Sequence, residues 1–204
     1  MLKKDFEYIE KFAKLADGSF NGSEGEVKYF GLNSDSSSSV RSSVRVLFYN
    51  NSNDYAVILK SKQGDTVYLY RTNDDKTFDE YYSDIKTKSD NFEGKKYLTS
   101  RDDFKAPMLD FKSERQFPEL CNKIIKNTDY ILSQAIETIQ FKMDEAGVKL
   151  KSEAVIVMKA TSCLGPVEEP RYFYFNDKYV IFLEEEGKKP YYAMKITDVK
   201  PLQK

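Results

Sequence analysis

Residues 131–163 read ILSQAIETIQFKMDEAGVKLKSEAVIVMKATSC, and two patterned stretches meet within them at Gly147. Before the glycine, Ile139, Phe141 and Met143 alternate with Gln140, Lys142 and Asp144, the period-two spacing of a strand with one buried face. Glu145-Ala146-Gly147 ends that strand. After it, Val148, Leu150, Ser152, Ala154, Ile156 and Met158 fall on one side of an extended chain, while Lys149, Lys151 and Glu153 fall on the other. Leaving Val148, Leu150, Ile156 and Met158 in water would forgo about 1.5–3 kcal/mol of burial each. The segment is therefore written to lie beside other backbone.

Working outward, the C-terminal flank carries RYFYF, KYVIFLEE and PYYAMKIT, and the last two, joined through EEGKKP, predict a terminal hairpin. On the other side, Val44 to Tyr49, Tyr55 to Lys60 and Thr66 to Arg71 are strand-like runs separated by the polar turns NNSND and SKQGD, an antiparallel meander. Phe78 to Lys86 predicts a short helix, Lys96 to Thr99 and Phe104 to Phe111 extended chain. Pro118 opens a helix carrying Leu120, Cys121, Ile124 and Ile125. At the N-terminus, Phe6, Ile9, Phe12, Ala13 and Ala16 follow Asp5 at helical spacing, with Gly18 placed as a cap, so an amphipathic helix is expected. Glu26 to Asn33 reads as a strand, and SDSSSSVRSS as a solvated flexible loop. The fold class is α+β, mostly antiparallel sheet with a few helices. Residues 1–40 (helix, strand, Ser-rich loop) precede a β-rich region over 41–204, expected to form one compact domain.

Composition narrows the functions. The 204 residues hold 32 Lys+Arg against 33 Asp+Glu, a net charge of −1, so no overall field draws in nucleic acid or an anionic membrane. Tyr49, Tyr55, Tyr68 and Tyr70 with Arg45, Lys60 and Arg71 resemble a base-stacking face, but alternating aromatics and long cations also make an ordinary half-exposed sheet, and the neutral charge favours that reading. The opening MLKKDFEYIEKFAKL lacks the apolar core and cleavage site of a secretory signal; the compartment stays open between the cytoplasm and secretion with the signal removed. The absence of histidine removes Ser-His-Asp and Cys-His mechanisms and imidazole metal ligands together, so a non-enzymatic protein without catalytic residues, metal or cofactor is expected. Cys121 and Cys163 read as two free thiols. Glu184, Glu185 and Glu186, adjacent acids before GKKP, read as a solvated turn rather than as catalytic carboxylates.

Taken in order, these stretches resemble the C-terminal part of the serpins, the serine-protease-inhibitor family. ILSQAIETIQFKMDEAG is similar to the family's I-S-x-V-x-H-K-x-x-I-E-V-D-E-E-G run, including Asp144, Glu145 and Gly147. EAVIVMKATS follows where the reactive loop stands, and FNDKYVIFLEEEGKKPYYAMKITDV resembles the family's final hairpin. VRVLFYNNSNDYAVILKSK and FKAPMLDFKSERQF resemble an upstream hairpin and strand pair, and residues 1–40 match nothing in the family. Lys178-Tyr179 replaces the His-Pro-Phe step, and Lys195 falls near a family glycine. The chain is about half the usual length, and the resemblance gives it no strand beside which a cleaved loop inserts.

The resemblance implies a reactive-loop-like segment comprising Glu145, Gly147, Val148, Leu150, Met158, Lys159, Ala160, Thr161, Ser162 and Cys163, with the scissile bond near Thr161-Ser162. Where inhibitors carry a small-residue hinge, this chain has Val148-Lys149-Leu150-Lys151-Ser152-Glu153-Ala154, whose bulk and charge oppose rapid insertion. A non-inhibitory serpin-like domain with a protein-binding or structural role is expected, a working serine or cysteine protease inhibitor being the alternative. Its partner would be a protease or another chain, met through the loop or an exposed edge strand, with the oligomeric state open.

Overall fold

The computed structural model describes residues 4–121, 136–148 and 169–203. Five short strands open the chain: β1 (Phe6–Glu7), β2 (Ala13–Lys14), β3 (Gly18–Ser19), β4 (Glu26–Val27) and β5 (Tyr29–Gly31). Helix α1 (Ser38–Ser42) then precedes the meander β6 (Val44–Asn51), β7 (Asp54–Lys60) and β8 (Asp65–Arg71). After helix α2 (Phe78–Asp90) come β9 (Asp103–Pro107), β10 (Leu109–Gln116), a 3-10 turn (Pro118–Leu120), β11 (Ile136–Met143) and β12 (Gly147–Val148). The last strands are β13 (Tyr172–Tyr174), β14 (Tyr179–Glu185) and β15 (Tyr192–Ile196).

The sheets run β15-β14-β8-β7-β6, β13-β9-β5-β2 and β1-β12-β11-β10, with β3-β4 a separate ribbon. Among the described residues every strand pairing is antiparallel except β13 with β9. The protein is α+β and mostly antiparallel sheet, as the periodicities predict.

The five-stranded sheet is covered on both faces, which is why Ala56-Val57-Ile58-Leu59 and Val180-Ile181-Phe182-Leu183 are unbroken apolar runs. One face joins a core shared with the other sheets, containing Phe6, Tyr8, Phe12, Val46, Val57, Leu69, Phe104, Phe141 and Ile181. The other packs against α2 through Phe48, Ile58, Tyr70, Tyr81, Ile85 and Phe182. Helix α2 starts where Thr77 and Glu80 close a reciprocal capping box, and it buries only Tyr81 and Ile85. Burying that pair contributes on the order of 3–6 kcal/mol. Gly64, at φ 87°, and Gly187, at φ 77°, make the tight turns after β7 and β14, where a side chain would strain the backbone.

Several expectations are corrected. The N-terminal helix does not form: Phe6, Phe12 and Ala13 sit in or beside the short strands β1 and β2, whose backbone is bonded to distant segments. The strand over 26–33 is broken into β4 and β5. The Ser-rich loop contains α1, because the Ser37 side chain accepts the Val40 N–H and caps it. Lys96–Thr99 is not a strand, and only Tyr97 bridges to Arg45. The helix expected from Pro118 is a single 3-10 turn to Leu120, and Ile124 and Ile125 lie outside the described residues. Cys121 is a half-buried free thiol; Cys163 is outside the described residues.

Candidate functional site at the hinge turn

Strand β11 ends at Met143, and the chain reverses through Asp144 to Ala146 so that Val148 pairs back with Met143. The turn is held locally: the Asp144 N–H donates to the Gly147 carbonyl at 3.1 Å, and the Ala146 N–H to Asp144 Oδ1 at 2.9 Å. Asp144 also meets the Lys142 amino group at 3.2 Å. Strand β12 is thereby inserted between β11 and β1, with Phe6 opposite Val148 and Glu7 opposite Gly147.

The N-terminal arm grips the outside of this turn. The Tyr8 N–H donates to the Ala146 carbonyl and the Phe12 N–H to the Glu145 carbonyl, both at 2.9 Å. The rings of Phe6, Tyr8 and Phe12 are buried, with Tyr8 and Phe12 edge to face at 5.3 Å. Burial pushes the Tyr8 phenol well above its ordinary pKa, and nearby Asp144 adds to the shift. The Glu145 carboxylate, itself buried, lies 3.6 Å from Lys11 Nζ and 3.5 Å from Lys14 Nζ. The arm's other edge is tied to the β7–β8 turn: the Ile9 N–H donates to Lys60 and the Lys62 N–H to Glu7.

Gly147 is required by this crowding. A Cβ there would stand 2.3 Å from the Phe6 carbonyl oxygen and 2.7 Å from Glu7 Cα. Glu145, Gly147 and Val148 are thus brought together on one turn. Leu150, Met158, Lys159, Ala160, Thr161, Ser162 and Cys163 lie outside the described residues. The arm as the hinge's partner was missed in the sequence, because its aromatic spacing imitates a helix.

Two further expectations are revised. Glu184 is not a surface residue: it is buried in β14, accepting Tyr68 Oη at 3.1 Å and, at closer range, Tyr82 Oη. Burial raises both phenols, and Glu184 adds to the rise. Glu185 is half-buried and Glu186 exposed, as a turn demands. Tyr55, Tyr68 and Tyr70 are buried rather than aligned on an open stacking face. Among the described residues no group of three or more Cys, Asp or Glu side chains is placed to hold a metal ion, and no helix is long and apolar enough to cross a membrane.

A concavity of about 330 Å³ lies between α2 and the β14–β15 hairpin, lined by Phe78, Tyr82, Phe182, Lys189, Tyr191 and Tyr192.

No family model matches the sequence, and no curated protein matches it significantly. Solved structures do. Serpin48, described as a highly specific serpin in the insect Tenebrio molitor, superposes with a TM-score of 0.54 at 12% identity, over 94% of this chain and 53% of that one. Thyroxine-binding globulin in complex with thyroxine gives 0.58 at 11% identity, over 98% and 55%. Human thyroxine-binding globulin, again as a ligand complex, gives 0.59 at 10% identity, over 97% and 54%. The chain has an α+β fold like the C-terminal part of a serpin, and it spans about half the length of the solved structures it matches.

Proposed function

We propose that this chain is a non-inhibitory serpin-like domain whose hinge is a fixed part of the sheet, with a structural or protein-binding role. The observation that carries this reading is the seat of Gly147 and Val148 between β1 and β11, with Val148 buried and the turn gripped by the arm. An inhibitor of this fold, as the resemblance implies, works by keeping its loop out of the sheet until a protease cuts it. A hinge already paired on both sides leaves less strain to release. At the hinge itself the neighbouring backbone is the two-residue strand β1. Because the arm bonds to the hinge and to the β7–β8 turn, residues 1–40 and 41–204 are read as one domain; the absence of histidine supports reading the protein as non-enzymatic.

Incubation with trypsin-like and elastase-like proteases is expected to give no SDS-resistant covalent complex. Limited proteolysis is expected to leave the melting temperature unchanged or lower. The inhibitor reading, with cleavage near Thr161-Ser162, requires the complex and a sharp rise in melting temperature on cleavage. Either result would overturn the proposal.

The groove beside α2 supports a second reading, as a carrier of small aromatic molecules. Its rings offer stacking surfaces and Lys189 a cation at the rim, and two of the similar structures were solved with thyroxine-type ligands. Saturable binding of thyroxine, weakened in Tyr82→Ala, would support it; no binding up to the solubility limit of the ligand would end it.

A further inference from the structure

Strand β10 is the outer strand of its sheet, paired to β11 through all eight residues from Leu109 to Gln116. Among the described residues no strand pairs with its other edge. Lys112, Ser113, Glu114, Arg115 and Gln116 are exposed, and neither Lys112 nor Glu114 is in an ion pair among the described residues. The exposed stretch from Lys112 to Gln116 is a template for another strand.

Antiparallel pairing of two copies of β10 about a twofold axis has few possible registers, because residues that face each other must share the same outward or inward backbone orientation. Among registers centred on the exposed residues, one centred on Lys112 sets Lys112 against Lys112, and one centred on Glu114 sets Glu114 against Glu114. A register centred on Ser113 sets Lys112 opposite Glu114 and Glu114 opposite Lys112, and on the other face Phe111 opposite Arg115, twice each. Directly opposed unlike charges stabilise a strand pair and like charges destabilise it.

We infer that this edge is a self-association surface, on which a second copy of the chain docks antiparallel through β10 in the Ser113-centred register. The two four-stranded sheets then join as one of eight strands. This inference stands apart from the hinge reading, since β10 lies at the opposite edge from β1.

Sedimentation of the full chain over a concentration series from micromolar to millimolar tests it. The wild type is expected to dimerise reversibly, more weakly as salt rises. Lys112→Glu and Glu114→Lys each turn both cross-strand pairs repulsive, so each should weaken the dimer by about tenfold or more. Both positions are exposed, so melting curves recorded where the wild type is monomeric should stay at the wild-type value. Mixing the two variants restores both pairs, since one chain then brings two negative side chains to this edge and its partner two positive ones. Combining both substitutions in one chain restores them as well, with the signs exchanged. A wild type that stays monomeric, a dimer that ignores both reversals, or variants that do not recover on mixing would each overturn the inference.

Discussion

Replacing Gly147 by alanine places a methyl group where two backbone atoms already stand. The added Cβ would lie 2.3 Å from the Phe6 carbonyl oxygen and 2.7 Å from Glu7 Cα. Ordinary contact begins about 1 Å farther out, and neither neighbour is a side chain that can rotate away, so β1 must separate from β12. Overpacking of this kind costs about 1–3 kcal/mol. The arm's bonds from Tyr8 to Ala146 and from Phe12 to Glu145 are strained in the same movement, at about 1 kcal/mol each if lost. A loss near 3 kcal/mol is expected, or a fall of about 6–12 °C in melting temperature for a chain of this size. Urea unfolding measures the first and a thermal scan the second, while hydrogen exchange at the Tyr8 and Phe12 amides should accelerate if the arm is released. A stability change below about 0.5 kcal/mol with both amides still protected would refute the argument that the arm clasps the hinge.

Two other consequences concern charge. Burial alone would raise the Asp102 carboxyl, but hydrogen bonds from Arg171 and from the Thr99 and Arg171 N–H groups outweigh it and hold the group below the usual carboxylate range. Its stabilisation is therefore present above the unfolded value near pH 4 and is lost as pH falls through the lower folded value. Asp102→Asn should cost about 1.5–3 kcal/mol at neutral pH and flatten the acid limb of the stability curve; an unchanged limb would exclude this pair as the cause. At the alkaline end, burial lifts Tyr29 to about 12 against the opposing charge of Arg71, and lifts Tyr8 and Tyr179 well beyond the ordinary value. The stability these phenols confer is whole below about pH 10 and falls away above it. Tyrosinate absorbance should rise together with loss of the fold, and ionisation of every tyrosine near pH 10 in an intact protein would contradict their burial.

The meander, α2 and the terminal hairpin were legible in the sequence because each is long and its turn residues are local. Gly64 and Gly187 mark turns that neighbours in sequence form by themselves. The N-terminal arm was not legible. Phe6, Ile9 and Phe12 have the spacing of a helix face, but backbone bonds to Lys60, Glu145 and Ala146 override that local tendency. The pairing of Asp102 with Arg171, which sets β13 beside β9 in a parallel pairing, joins residues far apart in the chain and leaves no periodic trace. The hinge lies between these cases. Its alternating pattern announced a strand, and Gly147 marked the turn, but nothing in the pattern named β1 as the neighbour.

That neighbour has a cost in time. Phe6 pairs with Val148, roughly 140 residues downstream, so β1 completes its sheet only after the hinge has been made. The rings of Tyr8 and Phe12 meet Phe30 and Phe104 before the hinge is made, but the Tyr8 and Phe12 N–H groups wait for Ala146 and Glu145, so the arm closes only once this turn exists.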